Sequence, residues 1–329
     1  MMTLHPQRNQ VFALLFNFLL VLTFKNPAYA LDNSCLSRMQ SALRAIDEKE
    51  NSRALLLDSA TGQVRAGNES VFFKGSPDKV AFILHGFLGS PFEVRPLAEA
   101  LHQAGYTVVV PLVAGFGRST AVADKTTAEI WLESTRAQLA ASELCGSKIQ
   151  VIGFSLGALL ETKILLKHPE LRAKVASLTL LSPALKLQAD SLLSVSASFF
   201  SVLNSTPRVS LLASPARKVG NHDLDIPEIY PDFYNNEIPL SNVKELTQLA
   251  ASVDYSLFKD FGAPVKVIYS ESDHTIDGAS SLGLLRTNLP KVSASVLSAE
   301  LNVPHQILVS WVTGAKEKVI AETLKSFQP

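Results

Sequence analysis

Two cysteines in 329 residues, Cys35 and Cys145, are too few for a disulfide-built scaffold, and neither has the flanking residues of a metal-binding cysteine. Neither has the neighbours of a catalytic thiol. If the chain is exported, an even pair predicts one disulfide, Cys35 to Cys145; two unpaired buried thiols are the alternative. Basic stripes and runs are missing as well. With 30 basic and 30 acidic residues the formal net charge is zero, which argues against nucleic acid as a partner. No His/Asp/Glu cluster has metal-ligand spacing, so neither a metal nor any other cofactor is expected. No Gly/Ser/Pro linker divides the chain, so one large domain with an insertion fits better than two domains. The N-terminal apolar run, residues 11–24, is too short to cross a bilayer comfortably.

That run follows a weakly basic start with His5 and Arg8, and it ends in Ala28-Tyr29-Ala30, a small-x-small pattern suited to cleavage. Residues 1–30 therefore read as a secretory signal peptide, with an uncleaved membrane anchor as the alternative. Removing Arg8 and Lys25 with it leaves 28 basic against 30 acidic residues, about −2. The expected location is the periplasm or the extracellular space, with no stable membrane span after cleavage. An extension over residues 31–76 and a main domain over 77–329 complete the expected organisation.

Apolar content of 47% can fill a sizeable core. Residues 34–50 look helical; residues 53–58 and 63–66 look like a hairpin around Ala60-Thr61-Gly62. Strand and helix patterns then alternate: strand 79–84, helix 91–104, strand 106–111, helix 126–144, strand 148–152, helix 157–167, strand 177–181. An irregular section over about 186–262 interrupts the rhythm, and strand 265–270, helix 279–288, strand 293–297 and helix 306–327 close it. Continuous apolar strands alternating with helices predict an α/β fold with a mostly parallel central sheet covered by helices on both faces. The irregular section reads as a lid-like insertion. Its Phe199 and Phe200 are candidates for substrate contact and equally for packing the insertion onto the body.

The chemistry centres on Gly153-Phe154-Ser155-Leu156-Gly157. A Gly-x-Ser-x-Gly turn between strand and helix is the setting of a nucleophile elbow, where a sharp reversal holds the serine hydroxyl clear of the surface. By itself the pentapeptide is also compatible with a tight turn carrying an incidental serine. A serine hydroxyl needs a neighbouring base, and the base needs a carboxylate to hold its tautomer and balance its charge. On such sheets the order is Ser, then Asp or Glu, then His. Of seven histidines, only His305 lies just past the last strand, in Asn302-Val303-Pro304-His305-Gln306. Asp273 follows strand 265–270 at a turn that would aim its carboxylate at His305. Asp277 is the rival and could instead cap the following helix; Glu271 still belongs to the strand end. Two fixed donors are needed for a developing oxyanion. The elbow supplies the backbone N–H of Leu156, and the turn His85-Gly86-Phe87-Leu88-Gly89 supplies that of Phe87, unless Gly86 and Gly89 merely make a tight turn. His85 is expected to brace this loop by hydrogen bonding.

His85-Gly86-Phe87, Gly115-Phe116-Gly117-Arg118-Ser119, the pentapeptide at Ser155, Asp273 and His305 together resemble the α/β-hydrolase superfamily, in particular its carboxylesterase and monoacylglycerol lipase branch. The resemblance runs from about residue 79 to the C-terminus. Gly115-Phe116-Gly117 departs from the Gly-His-Gly common in that branch. The resemblance implies Ser155 as nucleophile, His305 as general acid/base, Asp273 as orienting acid and Phe87 with Leu156 as oxyanion hole. It implies a serine hydrolase that cleaves carboxylic esters, with a small-molecule ester or lipid as substrate. Thioesterase, acyltransferase or peptidase action on the same triad is the alternative, and a non-catalytic binding protein of the same fold is a further one. A haloalkane-type hydrolase is excluded because the elbow carries Ser155 and not an aspartate.

Overall fold

The computed structural model describes residues 34–188, 208–210, 233–235, 237–308, 312 and 314–327. The expected leader (1–30) and the candidate contacts Phe199 and Phe200 lie outside the described residues.

Seven strands form the central sheet: β1 Val71–Phe73, β2 Ser76–Leu84, β3 Tyr106–Val110, β4 Ile149–Phe154, β5 Val175–Leu181, β8 Val265–Ser270 and β9 Val292–Leu297, in the order β1-β3-β2-β4-β5-β8-β9. Only β1 runs antiparallel, pairing Val71 with Val110 at the sheet edge. A separate two-stranded ribbon, β6 Arg208–Ser210 with β7 Glu237–Pro239, belongs to the insertion. The longer helices among the described residues are α1 Cys35–Leu57, α2 Arg95–Gln103, α3 Ala128–Ser142, α4 Leu156–Lys167, α5 Leu240–Ala251, α6 Gly278–Asn288 and α7 Ala315–Lys325.

Alternation along the strands builds two apolar layers. From β2, Val80, Phe82 and Leu84 enter one layer with Val151 of β4, Trp131 and Leu139 of α3, and Leu159 of α4. Ala81 and Ile83 point the other way, against Leu97 and Leu101 of α2 and Val319 of α7. Both faces of the sheet are therefore covered, which is why these strands are apolar throughout. Each fully buried Leu, Ile or Phe in these layers contributes about 1.5–3 kcal/mol relative to exposure. Among the described residues, no helix is long and apolar enough to cross a membrane.

Several boundaries differ from the sequence reading. The expected hairpin strand at 53–58 is the last part of α1, which runs to Leu57. Alanine and leucine there are strong helix formers, and the reversal is a turn in which Asp58 accepts the N–H groups of Ala60 and Thr61. The closing helix begins at Ala315 and not at 306, because Gly314 sits at φ 80 immediately before it. The irregular section contains α5, whose Leu246 and Leu249 join the larger core layer.

Cys35 and Cys145 form the expected disulfide, joining the start of α1 to the segment just after α3. α1 also reaches the loop after β3: the Arg118 guanidinium donates to the carbonyl of Gly62 and to Asn51 Oδ1.

Candidate active site

β4 enters the elbow buried along most of its length, and α4 leaves it at Leu156. Between them Ser155 takes φ 53 and ψ −114, a left-handed conformation that a non-glycine residue holds only when its surroundings impose it. Here its N–H donates to Leu181 O at 2.9 Å, and its carbonyl accepts from Ala184 N at 3.1 Å. The two glycines are steric requirements. A Cβ on Gly153 would strike the Ala158 backbone, and one on Gly157 would strike the carbonyls of Leu84 and His85.

The loop after β8 and the loop after β9 meet above this turn. His305 Nε2 lies 2.8 Å from Ser155 Oγ, and His305 Nδ1 lies 2.7 Å from Asp273 Oδ2. An ionised carboxylate only accepts, so Nδ1 carries the proton and Nε2 is left to accept from the serine hydroxyl. Asp273 is itself fixed: Oδ1 accepts the N–H groups of Thr275 at 2.8 Å and Ile276 at 3.1 Å. The His305 loop is tied down where Ser270 Oγ donates to Val303 O at 2.7 Å. The Phe154 ring packs 5.2 Å from the imidazole.

The structure thus brings Ser155, Asp273 and His305 into one hydrogen-bonded relay. Asp277 has the other role the sequence left open for it: it caps α6, accepting from Ser280 N at 2.8 Å and Ser280 Oγ at 2.6 Å. These bonds hold its carboxyl below the usual carboxylate range. Glu271 accepts from Ala299 N. Among the other histidines, His102 stacks on Phe73, His168 bonds Glu170, and His274 is exposed; His5 and His222 lie outside the described residues.

The loop after β2 is braced from beneath. His85 is fully buried, and burial pulls its pKa down to about 4. The neutral ring donates from Nδ1 to Gly86 O and accepts the Val113 N–H at Nε2, both at 3.0 Å. His85 therefore links the loops after β2 and β3. Gly86 N–H donates to the buried Glu93 at 2.9 Å. The next N–H, that of Phe87, and the N–H of Leu156 meet no acceptor among the described residues. Leu156 opens α4, where the first N–H groups have no partner in the helix and the helix dipole favours negative charge. The Phe87 side chain turns into the body, edge-on to Phe116 and Trp131 at 5.9 and 6.1 Å.

Sequence reasoning missed three residues around this centre. Glu93 lacked a local signal, since its partner Gly86 is seven residues away in an irregular turn. Glu161 lies on α4, fully buried, with neither carboxyl oxygen paired among the described residues; burial pushes its pKa well above the carboxylate range. A glutamate six residues into a helix ordinarily reads as surface, and only the apolar runs at residues 158–160 and 164–166 of the same helix could have marked this one. Arg65 makes contacts across 169 and 170 residues, which no local pattern reveals. Among the described residues no group of three His, Cys, Asp or Glu side chains is arranged to hold a metal ion.

Comparison with known proteins matches residues 75–309 to the family model described as serine aminopeptidase, S33. The thermostable monoacylglycerol lipase of Bacillus sp. (strain H-257) is 33% identical over 108 residues, which is 33% of this chain and 43% of that protein. The chain therefore matches less than half the length of that relative. Among solved structures, one reported for the metagenome-derived lipolytic enzymes LipS and LipT superposes with a TM-score of 0.64 at 22% identity, covering 80% of this chain and 99% of the other. A soluble variant of monoglyceride lipase from Saccharomyces cerevisiae, in complex with a substrate analogue, superposes with a TM-score of 0.58 at 12% identity, covering 79% of this chain and 90% of the other. At such identities these likenesses establish the α/β-hydrolase fold.

Proposed function

The chain belongs to the α/β-hydrolase family described as serine aminopeptidase, S33, and from that premise we propose that it cleaves carboxylic esters of small lipid-like molecules through an acyl-enzyme. The observation that carries this reading is the relay Ser155–His305–Asp273, with both hydrogen bonds at 2.7–2.8 Å on a strained elbow. Similarity to a monoacylglycerol lipase favours an acylglycerol-type ester over other acyl compounds.

In this mechanism Ser155 Oγ attacks the ester carbonyl while His305 Nε2 takes its proton. Asp273 holds the imidazole in the tautomer that can do so and balances the imidazolium charge. Negative charge gathers on the carbonyl oxygen, where the N–H groups of Phe87 and Leu156 receive it. As the intermediate collapses, the bond to the alcohol oxygen breaks and His305 returns the proton to that oxygen. Water then attacks the acyl carbon as His305 takes its proton, the bond from that carbon to Ser155 Oγ breaks to release the acid, and His305 returns the proton to Oγ. His85, its pKa pulled down to about 4 by burial, is neutral near pH 7 and ties the Phe87 loop to the loop after β3.

The Cys35–Cys145 crosslink and the leader-like pattern at residues 1–30 support a working location outside the reducing cytosol. A panel of 4-nitrophenyl esters, monoacylglycerols, acyl thioesters and aminoacyl 4-nitroanilides tests the substrate class. Ester turnover that vanishes in Ser155→Ala is the expected result. Preferential turnover of the anilides or thioesters would overturn the ester reading while leaving the triad in place.

A further inference from the structure

The loop that carries the Phe87 N–H is held by residues of the insertion, and these in turn by a residue that precedes the family's matched region. Leu88, the next residue, is fully buried at φ 54, in the left-handed region that leucine avoids. Such a conformation persists only where neighbours over-determine it. Its carbonyl accepts from Asn235 N at 3.1 Å, Ser90 Oγ donates to Phe233 O at 3.0 Å, and Phe92 stacks flat on Phe233 at 4.0 Å between ring centroids. Residues 233–235, within the insertion, thus grip the loop at three points.

That grip is itself fastened from its far side by the N-terminal extension. Arg65 Nη1 donates to Tyr234 O at 3.2 Å and Nη2 to Asn235 Oδ1 at 2.8 Å. Arg65 is anchored in turn through its own N–H, which donates to Gly117 O at 2.9 Å. Two residues on, Gly67 at φ 85 leaves the space that the Phe233 ring occupies; a Cβ there would collide with the ring. A guanidinium presents its donors in a rigid planar fork, a geometry that the freely rotating donors of an ammonium do not hold. Residue 65 precedes the family match at 75–309, so Arg65 reaches the matched region from outside it.

We propose that Arg65 is a positioning residue for ester hydrolysis: through residues 233–235 it holds Leu88, and with it the Phe87 N–H, at the place where the oxyanion forms. The proposal rests on the ester-hydrolase reading above. It predicts a defect confined to stabilisation of the developing charge. Arg65→Ala lowers kcat for 4-nitrophenyl butanoate about tenfold, short of the roughly hundredfold or greater loss when an oxyanion donor is removed outright, and leaves KM within about twofold.

The discriminating probe is the matching thionoester, whose developing charge falls on sulfur and draws little from the N–H pair. The oxo-to-thiono ratio of kcat therefore falls in Arg65→Ala, and Arg65→Lys, which keeps the charge and loses the rigid fork, falls between Ala and wild type. Asn235→Ala, which keeps the backbone N–H to Leu88, lowers the ratio less than Arg65→Ala. Should Arg65→Ala fail to fold by thermal melting, Arg65→Lys and Asn235→Ala are judged on the same ratio. A wild-type ratio in the folded variants overturns the role of Arg65 and leaves ester hydrolysis standing. A wild-type protein that hydrolyses neither ester overturns both.

Discussion

Replacing Cys35 and Cys145 by serine removes the one covalent tie between α1 and the main body among the described residues, and its cost can be worked from the chain. The disulfide spans 110 residues, and closing a loop of that length removes about 4.7 kcal/mol of conformational freedom from the unfolded state in the chain-entropy account. For a domain of roughly 300 residues the unfolding entropy near the midpoint is about 0.6 kcal/mol per kelvin, so the loss corresponds to about 8 °C. α1 retains its packing without the bond, since Met39 and Leu43 are buried in the larger core layer and Ser34 caps the helix N-terminus. Folding and the active-site relay should therefore survive. Scanning calorimetry of wild type and of Cys35→Ser/Cys145→Ser, each with and without a phosphine reductant, measures the shift. The expected pattern is a drop of about 8 °C in the double variant, the same drop in reduced wild type, and no further change when reductant is added to the variant. A midpoint within about 2 °C of wild type would refute the entropic account and assign the hold on α1 to packing.

Three further predictions concern carboxylates. Glu161 is buried with its pKa raised by desolvation, so its proton is held in the folded state after the unfolded chain has lost it. Stability then falls as pH rises above the ordinary glutamate range, by up to about 1.4 kcal/mol per pH unit until the folded group ionises. Glu161→Gln removes that slope, and urea titrations at pH 5, 7 and 9 check it; an unchanged slope contradicts the assignment. Asp273→Asn should lower kcat roughly 10³- to 10⁴-fold by losing the carboxylate that sets the His305 tautomer. Asp277→Ala should leave kcat unchanged and cost about 1 kcal/mol of stability as a lost helix cap; the reverse pattern in steady-state kinetics would exchange the two roles.

The elbow was legible because its signal is local: two glycines at fixed spacing, a β-branched strand before and a helix-forming run after. Order along the chain then pointed to Asp273 and His305, since each follows a strand at the same end of a parallel sheet. What local pattern could not carry was contact between distant segments. Arg65 meets Tyr234 and Asn235 across about 170 residues, and Glu161 looks like any helix glutamate until the sheet and the neighbouring helices enclose it. Short or ambiguous stretches failed for a different reason. β1 has three residues and owes its place to pairing with β3, while Arg53-Ala54-Leu55-Leu56-Leu57 fits a strand or a helix until α1 packs on α3.

The central claim, that Ser155 is a nucleophile activated by His305, is tested most directly by covalent capture. Folded protein is treated with an alkyl fluorophosphonate, digested and mapped by mass spectrometry. A single adduct on the peptide containing Ser155, abolished in Ser155→Ala and slowed by orders of magnitude in His305→Ala, is the predicted result. No adduct on folded wild-type protein, or one on a different serine, would contradict it.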